Sequence, residues 1–160
     1  MHLPKVFTPD IAVRASFSFD ETGEIFFTGG VAGGYGILVK PAFQREYILG
    51  LLNSKLLDWV IRQSATQMRG GYYSYESRFI RHLPIHTPNF SAPIDKERHD
   101  KMVALVKRML DLHTKLPTAK NPNDKTRLER EIEATDRQID QLVYELYALT
   151  EEEIKIVEEM

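Results

Sequence analysis

The sequence contains no cysteine among its 160 residues, which excludes disulfides, thiolate metal sites and cysteine nucleophiles. That absence fits a reducing cytoplasm, the expected location. Long apolar runs are missing as well. Stretches such as Ile37-Leu38-Val39 and Ile48 to Leu52 fall far short of the ~20 residues a bilayer span needs. Met-His-Leu-Pro-Lys at the start offers no apolar core for a secretion signal. No membrane partner is expected. What is present is ordinary: 42% hydrophobic and 28% charged residues suit a folded, soluble chain. The length suits one domain, or one domain with a helical appendage.

The formal net charge of −2 hides an asymmetry. Residues 1–93 carry nine Lys/Arg and seven Asp/Glu, whereas residues 94–160 carry twelve and sixteen. Between Arg62 and His86 the bases Arg62, Arg69, Arg78 and Arg81 face only Glu76, with His82 and His86 close by. A local cationic field of this kind steers polyanions despite an acidic remainder, although a solvated basic surface gives the same composition.

The first third reads as strands and turns. Ala12 to Phe19 alternates apolar with small or polar residues, the pattern of a half-buried strand. Asp20-Glu21-Thr22-Gly23 supplies turn chemistry before a second short strand, Glu24 to Thr28. Gly29 to Gly36 reads as a glycine-rich loop leading into a third strand, Ile37-Leu38-Val39. From Phe43 the period changes. Phe43, Tyr47, Ile48, Leu51 and Leu52 recur at helical spacing. Asn53 is expected to end that helix in a left-handed conformation and Ser54 to cap the next. Leu56, Leu57, Val60 and Ile61 form the second helix's apolar face, and a Gly- and Tyr-rich turn follows from Arg69 to Tyr75. Prolines at 84, 88 and 93 interrupt any ladder or helix, which places a domain boundary near residue 93.

Beyond it the chain reads as helical. Met102, Leu105, Val106, Met109, Leu110, His113 and Leu116 form one stripe. Leu128, Ile132, Thr135, Ile139, Leu142 and Leu146 form a heptad seam containing one threonine. Asn121-Pro122 is a cap followed by proline at the first helical position, and the short loop folds the two helices into an antiparallel hairpin. Thr150 to Glu153 is a capping box opening a last short helix through Val157. The expected fold class is therefore α+β. A small mixed sheet with two helices (residues 1–93) precedes a helical hairpin with a short terminal helix (94–160).

Most chemistry-bearing patterns dissolve on inspection. The Gly29–Gly36 loop is followed by a strand, not by the helix a phosphate cradle requires. His82 and His86 are four apart, but Pro84 forbids a helix between them and no cysteine or glutamate completes a metal site. His99 and His113 read as surface or seam residues. Asp136 and Asp140 share a helical face without nucleophile or pocket, which reads as a solvated acidic face. The segment Gln67 to Arg78 is more informative. Arg donates two hydrogen bonds to guanine and Gln brackets adenine in the major groove. Tyrosine and serine hydroxyls hold phosphates, and paired glycines let backbone amides approach a duplex. Tyr75, and Tyr72 with it, are expected as core aromatics closing the small sheet.

Two stretches carry a resemblance. Tyr47 to Leu56, with its Leu-Asn-Ser-Lys-Leu core, resembles the corresponding helix of restriction specificity domains, and the Gly70-Gly71-Tyr72-Tyr73 turn and Leu83-Pro84-Ile85 follow at the usual distances. Ala134 to Ile154 resembles the C-terminal signature of the same proteins. Together they resemble the TaqI-like C-terminal specificity domain of adenine-N6 methyltransferases and fused type II restriction-modification enzymes, and the recognition domains of type I specificity subunits. The family usually has glycine where this chain has Ala148, which implies a tighter or more helical turn before Thr150. The Asn/Asp-Pro-Pro-Tyr/Phe motif and S-adenosylmethionine loop of the methylases are missing, and no Pro-Asp…Glu-x-Lys nuclease core is evident. The resemblance therefore implies a non-catalytic part that holds no cofactor, with S-adenosylmethionine bound by a methyltransferase domain of the same or a partner polypeptide. It implies double-stranded DNA as the partner, with Gln67 and Arg69 as base readers and Arg14, Arg62, Tyr73 and Arg78 as phosphate or base contacts. The competing reading is a protein-protein scaffold module of a defence complex that does not touch DNA.

Overall fold

A computed structural model describes residues 3–26 and 33–160. The chain is α+β, as expected. Strands β1 (Lys5–Pro9), β3 (Ser18–Asp20) and β4 (Gly34–Ile37) form an antiparallel sheet in the order β3-β1-β4, and β2 (Ile11–Ala12) pairs with β5 (Tyr73–Ser74). Every pairing among the described strands is antiparallel. The helices are α1 (Arg45–Asn53), α2 (Lys55–Ser64), α3 (Ser77–Ile80), α4 (Pro93–Lys115), α5 (Pro122–Leu146) and α6 (Glu151–Glu158). A 3-10 turn, Leu116–Thr118, follows α4.

The central strand β1 is held by alternation, with Val6 and Thr8 fully buried. The stretch expected as one long strand, Ala12 to Phe19, is a strand only at its ends. Its middle bonds to helix side chains instead. The Ala15 N–H donates to Asp58 Oδ1 at 3.0 Å, and the Asn53 amide takes both the N–H (2.8 Å) and the C=O (2.9 Å) of Phe17. Asn53 thus mimics a neighbouring strand. It is not the left-handed helix end that its type suggested; α1 closes through the Ser54 N–H to Leu51 O (3.1 Å) with Ser54 extended. Ser54 does cap α2, its hydroxyl accepting from the Leu57 N–H at 3.3 Å. Of the expected second strand, Glu24 to Thr28, residues 24–26 form no strand and 27–28 lie outside the described residues. Residues 29–32 of the glycine loop also lie outside them, and Gly34 and Gly36 belong to β4.

Asp20 organises the turn after β3. It is buried and accepts from Lys5 Nζ (2.6 Å) and from the backbone N–H groups of Gly23 (2.9 Å), Glu24 (3.2 Å) and Ile25 (2.8 Å). Burial pushes its carboxyl up, but the Lys5 ammonium and the three N–H donors outweigh that and hold it well below the usual carboxylate range.

The helical hairpin shares its core with the first half of the chain. Met102 to Val106 of α4 and Ile139 to Leu146 of α5 join the α1–α2 residues in one continuous cluster. Close approach of α1 and α4 depends on Gly50: a Cβ there would lie 2.6 Å from Met102 Sδ and 2.8 Å from Val106 Cγ2. His99 is buried in this seam, its ring tilted against Tyr47 at 4.9 Å between centroids, whereas His113 is exposed. The seam threonine, Thr135, is buried and satisfied by donating to Glu131 O at 2.8 Å. Both predicted caps are present, with Asn121 accepting from the Asn123 N–H and Thr150/Glu153 forming the full capping box. At the other end of α5, Tyr147 donates to Pro84 O (2.5 Å) and accepts from the His86 N–H (3.0 Å), pinning the proline segment down.

Two expectations about α5 are corrected. Asp140 is no solvated carboxylate. It is buried and accepts from the Lys55 N–H at 2.8 Å, so a negative charge sits at the N-terminus of α2. Burial raises its carboxyl to about 6, the Lys55 N–H opposes that rise, and Asp136 and Glu158 reinforce it. Nor does Ala148 tighten the turn. It takes the left-handed conformation, φ 52°, that glycine would. The Leu149 N–H bonds to Tyr144 O (3.0 Å) and the Ala148 N–H to Glu145 O (3.3 Å), the paired closure of a Schellman motif, which needs a left-handed residue at that place.

Three outcomes follow from these contacts. Gly50→Ala lowers the free energy of unfolding by about 1–2 kcal/mol, overpacking exceeding the gain in helix propensity; chemical denaturation measures it. Ala148→Gly raises stability by about 0.5–1 kcal/mol in the same assay, because it removes left-handed strain. Since the folded Asp140 carboxyl lies near 6, above its unfolded value of 3.8, it favours the fold fully below about pH 4. That contribution fades as pH rises through 6. Relative to Asp140→Asn, the wild type loses roughly 2–3 kcal/mol across that window; parallel pH denaturation series that superimpose refute it.

Candidate nucleic-acid interface

The segment from Thr66 to Ser74 folds as a hairpin. The Met68 N–H bonds to Tyr72 O at 2.8 Å and the Ser74 N–H to Thr66 O at 3.1 Å, with Gln67 bridged to Tyr73. Its tip is Arg69-Gly70-Gly71, and both glycines are left-handed, with φ of 80° and 77°. Two successive positive φ angles are strained for any residue with a Cβ, so Gly-Gly is what lets the chain reverse here. The returning strand continues the ladder onto β2, where Ala12 pairs with Tyr73 and Ile11 with Ser74, and the Tyr75 N–H bonds to Asp10 O at 2.7 Å.

What fixes the hairpin to the body is a buried carboxylate. Asp58 on α2 is 4% exposed. Its Oδ1 accepts from the Tyr75 hydroxyl (2.5 Å) and the Ala15 N–H (3.0 Å), and its Oδ2 pairs with Arg62 Nη2 at 2.7 Å, one helical turn along. Arg62 also donates to Val13 O (2.7 Å) and lays its guanidinium over the Tyr73 ring, 4.8 Å from the centroid. Tyr75 is fully buried against Phe17, edge to face. Burial, and then the Asp58 charge, push its hydroxyl far above the ordinary phenol range.

The six residues singled out in the sequence are brought to one region but in different states. Gln67 and Arg69 are exposed on the hairpin, and Arg69 has no carboxylate partner among the described residues. Arg14 is exposed on the loop beside Val13. Arg62 and Tyr73 are in mutual contact, the arginine side chain only 18% exposed. Arg78, on α3, pairs with Glu76 at 2.9 Å and lies over Phe79; Glu76 also accepts from Ser74 Oγ at 2.9 Å. Arg78 is thus linked to β5 through one carboxylate.

Of the two tyrosines expected in the core, Tyr75 is there and Tyr72 is not: it is 44% exposed on the hairpin surface beside Met68. Tyr72 directly follows the left-handed glycines at the hairpin tip and precedes the β2–β5 ladder, which begins at Tyr73, so no β2 residue covers it. Sequence reasoning also missed Asp58, the residue that organises the site. The signal was there, an acid and a base at i and i+4 on an amphipathic helix. Among the described residues no group of His, Asp and Glu is placed to hold a metal ion. His86 is engaged with the Tyr47 hydroxyl at 2.8 Å, while His82 is exposed. No helix among the described residues is long and apolar enough to cross a membrane.

A type II restriction enzyme and methyltransferase of Escherichia coli, RM.Eco57I, is 28% identical over 149 residues, which is 90% of this chain. The chain spans about 15% of that relative's length. The profile of the TaqI-like C-terminal specificity domain matches residues 2–85, the stretch that contains β1 to β5, α1 to α3 and the hairpin. The chain therefore belongs to the TaqI-like C-terminal specificity domain family.

Proposed function

We propose that this chain is the DNA target-recognition part of an adenine-N6 methyltransferase or of a fused restriction-modification enzyme, and that the Thr66–Ser74 hairpin reads the bases. The observation that carries the reading is the division of labour around Asp58. Arg62, Tyr75 and Ala15 are spent on holding the hairpin still. Gln67, Arg69 and Tyr72 stand exposed on it with their hydrogen-bonding groups free of intramolecular ion pairs. A two-stranded ribbon fits the major groove. Arg69 and Gln67 then have the donor sets for guanine and adenine edges, and Arg14 and Arg78 flank them as phosphate contacts. Arg62 and Tyr73 act as positioning residues, one supporting the other.

On this reading the chain supplies specificity and no catalytic group. Reading the site presents one adenine for flipping into a methyltransferase domain of the same or a partner polypeptide. That domain binds S-adenosylmethionine and is the chain's second partner. The setting is the cytoplasm. A scaffold that never touches DNA would show no salt-dependent affinity for a duplex, whereas phosphate contacts release counterions and weaken steeply with salt.

The test is selection from a randomised duplex pool at two salt concentrations, with the bound fraction sequenced, on this chain and on the full-length protein. A short enriched motif is expected. Arg69→Ala is expected to flatten one position of that motif, costing about 1–3 kcal/mol for the preferred base while scrambled duplexes bind nearly as before. Equal weakening on every sequence makes Arg69 a phosphate contact. A full-length protein that enriches no motif overturns the recognition role.

A further inference from the structure

The helical hairpin is electrically polar along its length. Residues 107–130, which form its turn end, carry seven Lys/Arg and three Asp/Glu, whereas residues 131–160 carry two and ten. The acidic part lies against the body: Asp140 meets Lys55 at the start of α2, and Glu158 pairs with Lys55 at 2.5 Å. The basic part packs on itself. Leu112 and Leu128 are buried there but stand outside the continuous core that includes Met102–Val106 and Ile139–Leu146.

At this turn end a groove of about 470 Å³ runs between α4 and α5. Arg108 lines one wall, and Arg127 and Arg130 line the other, with Asn123 and Thr126 beside them. The sole carboxylate lining it, Glu131, is shared by two guanidiniums, Arg127 at 2.7 Å and Arg108 at 3.5 Å. Arg130 has no ion-pair partner among the described residues. Asp124, outside the lining, also lies 3.9 Å from Arg127. Three guanidiniums against these two carboxylates still leave a net cationic groove, flanked by neutral hydroxyl and amide donors. This is the chemistry of a phosphodiester site.

We propose that this groove grips the phosphate backbone of the same duplex that the Thr66–Ser74 hairpin reads, as a second, sequence-independent contact; the proposal rests on the recognition reading above. A helix of 23 residues, the length of α4, spans about 35 Å, roughly one turn of duplex. A duplex of several turns is longer than α4 and so extends well beyond the groove itself. An acidic protein segment is the competing occupant and is separated from DNA by the test.

The experiment compares the wild-type chain with Arg127→Gln/Arg130→Gln, Arg127→Lys/Arg130→Lys and Arg69→Ala. Thermal melting first confirms that each is folded. Binding is measured to a motif-bearing duplex, a scrambled duplex and polyglutamate. The double Gln variant should bind both duplexes more weakly by the same factor and select an unchanged motif. Each lost phosphate contact lowers the log-log salt slope by ~0.9, so its fall in affinity between about 50 and 200 mM salt should be roughly tenfold smaller than the wild type's. The Lys variant should stay close to wild type. Unchanged affinity and slope in the double Gln variant, or a loss confined to polyglutamate, overturns the groove as a DNA site. So does a wild-type chain that binds no duplex at low salt, since backbone contacts need no methylase. The two readings fail separately. If no motif is selected while the double Gln variant still loses general affinity, the recognition reading falls and the groove stands. If Arg69→Ala flattens the motif while the groove variants behave as wild type, the reverse holds.

Discussion

A carboxylate taken out of water is expensive unless its oxygens find donors and a countercharge, and Asp58 meets that condition with donors from three separate stretches of chain. Arg62 comes from its own helix, Ala15 from the loop after β2, and Tyr75 from the end of the Thr66–Ser74 hairpin. None of these stretches has enough regular structure to stand alone. The β2–β5 ladder has two residues per strand, too short for independent stability. Loop 13–17 has no ladder at all and takes its bonds from Asp58 and Asn53. The half matched by the family profile is therefore a set of loops hung on the polar side chains of two helices, and those helices are in turn fixed by the helical hairpin behind them.

That dependence runs in one direction. The Gly50 contact sets how near α1 lies to α4, and the Asp140 carboxylate ties the first residue of α2 to α5. Movement of α5 would shift Lys55, the start of the helix that carries Asp58 one turn later. A helical hairpin that looks like an appendage in the sequence is thus the support on which the geometry of the Thr66–Ser74 hairpin rests. Burial of a carboxyl beside Asp136 and Glu158 costs stability at neutral pH. The fold tolerates that cost because the same carboxylate satisfies a helix N-terminus and fixes the α2–α5 register.

Periodicity made the helices legible. Most of the apolar positions from Tyr47 to Leu146 lie where spacing placed them, because a helix interior repeats one environment many times and leaves a redundant record. At the end of α4 the stripe slips, with Leu112 buried and His113 exposed. The strands leave no such record. β1 is five residues following a proline, ending in another, with a buried threonine in place of an aliphatic side chain. The alternation from Ala12 to Phe19 is present, yet its hydrogen-bond partners are side chains of residues 53 and 58, and no local pattern predicts that substitution. Ala148 shows the same limit from the other side. Residue type argued against a left-handed turn, but two backbone bonds closing α5 and the burial of Leu146 behind it outweigh about 1 kcal/mol of strain.

The arginines separate scaffold from site more sharply than any motif does. Arg62 and Arg127 both sit on helices four residues from an acid, and both are paired with it. Arg78 lies two residues from Glu76 and is paired as well. Arg69 sits on a glycine turn where no side chain on the same strand face offers a carboxylate, and it has no such partner. Arg130 has Asp124, Glu131 and Glu129 near it in sequence, yet the first two are taken by Arg127 and Arg108. A guanidinium whose nearby acids are absent or already engaged keeps its full donor set for an external anion. By that criterion Arg69, at the tip of the Thr66–Ser74 hairpin, and Arg130, in the groove of the helical one, are two of the arginines without an ion-pair partner among the described residues, along with Arg14, Arg45, Arg81, Arg98 and Arg137. What sets Arg69 and Arg130 apart is their setting, a left-handed glycine turn for the first and a groove shared with Arg108 and Arg127 for the second. Under the proposed function a duplex supplies base edges to the first and phosphates to the second.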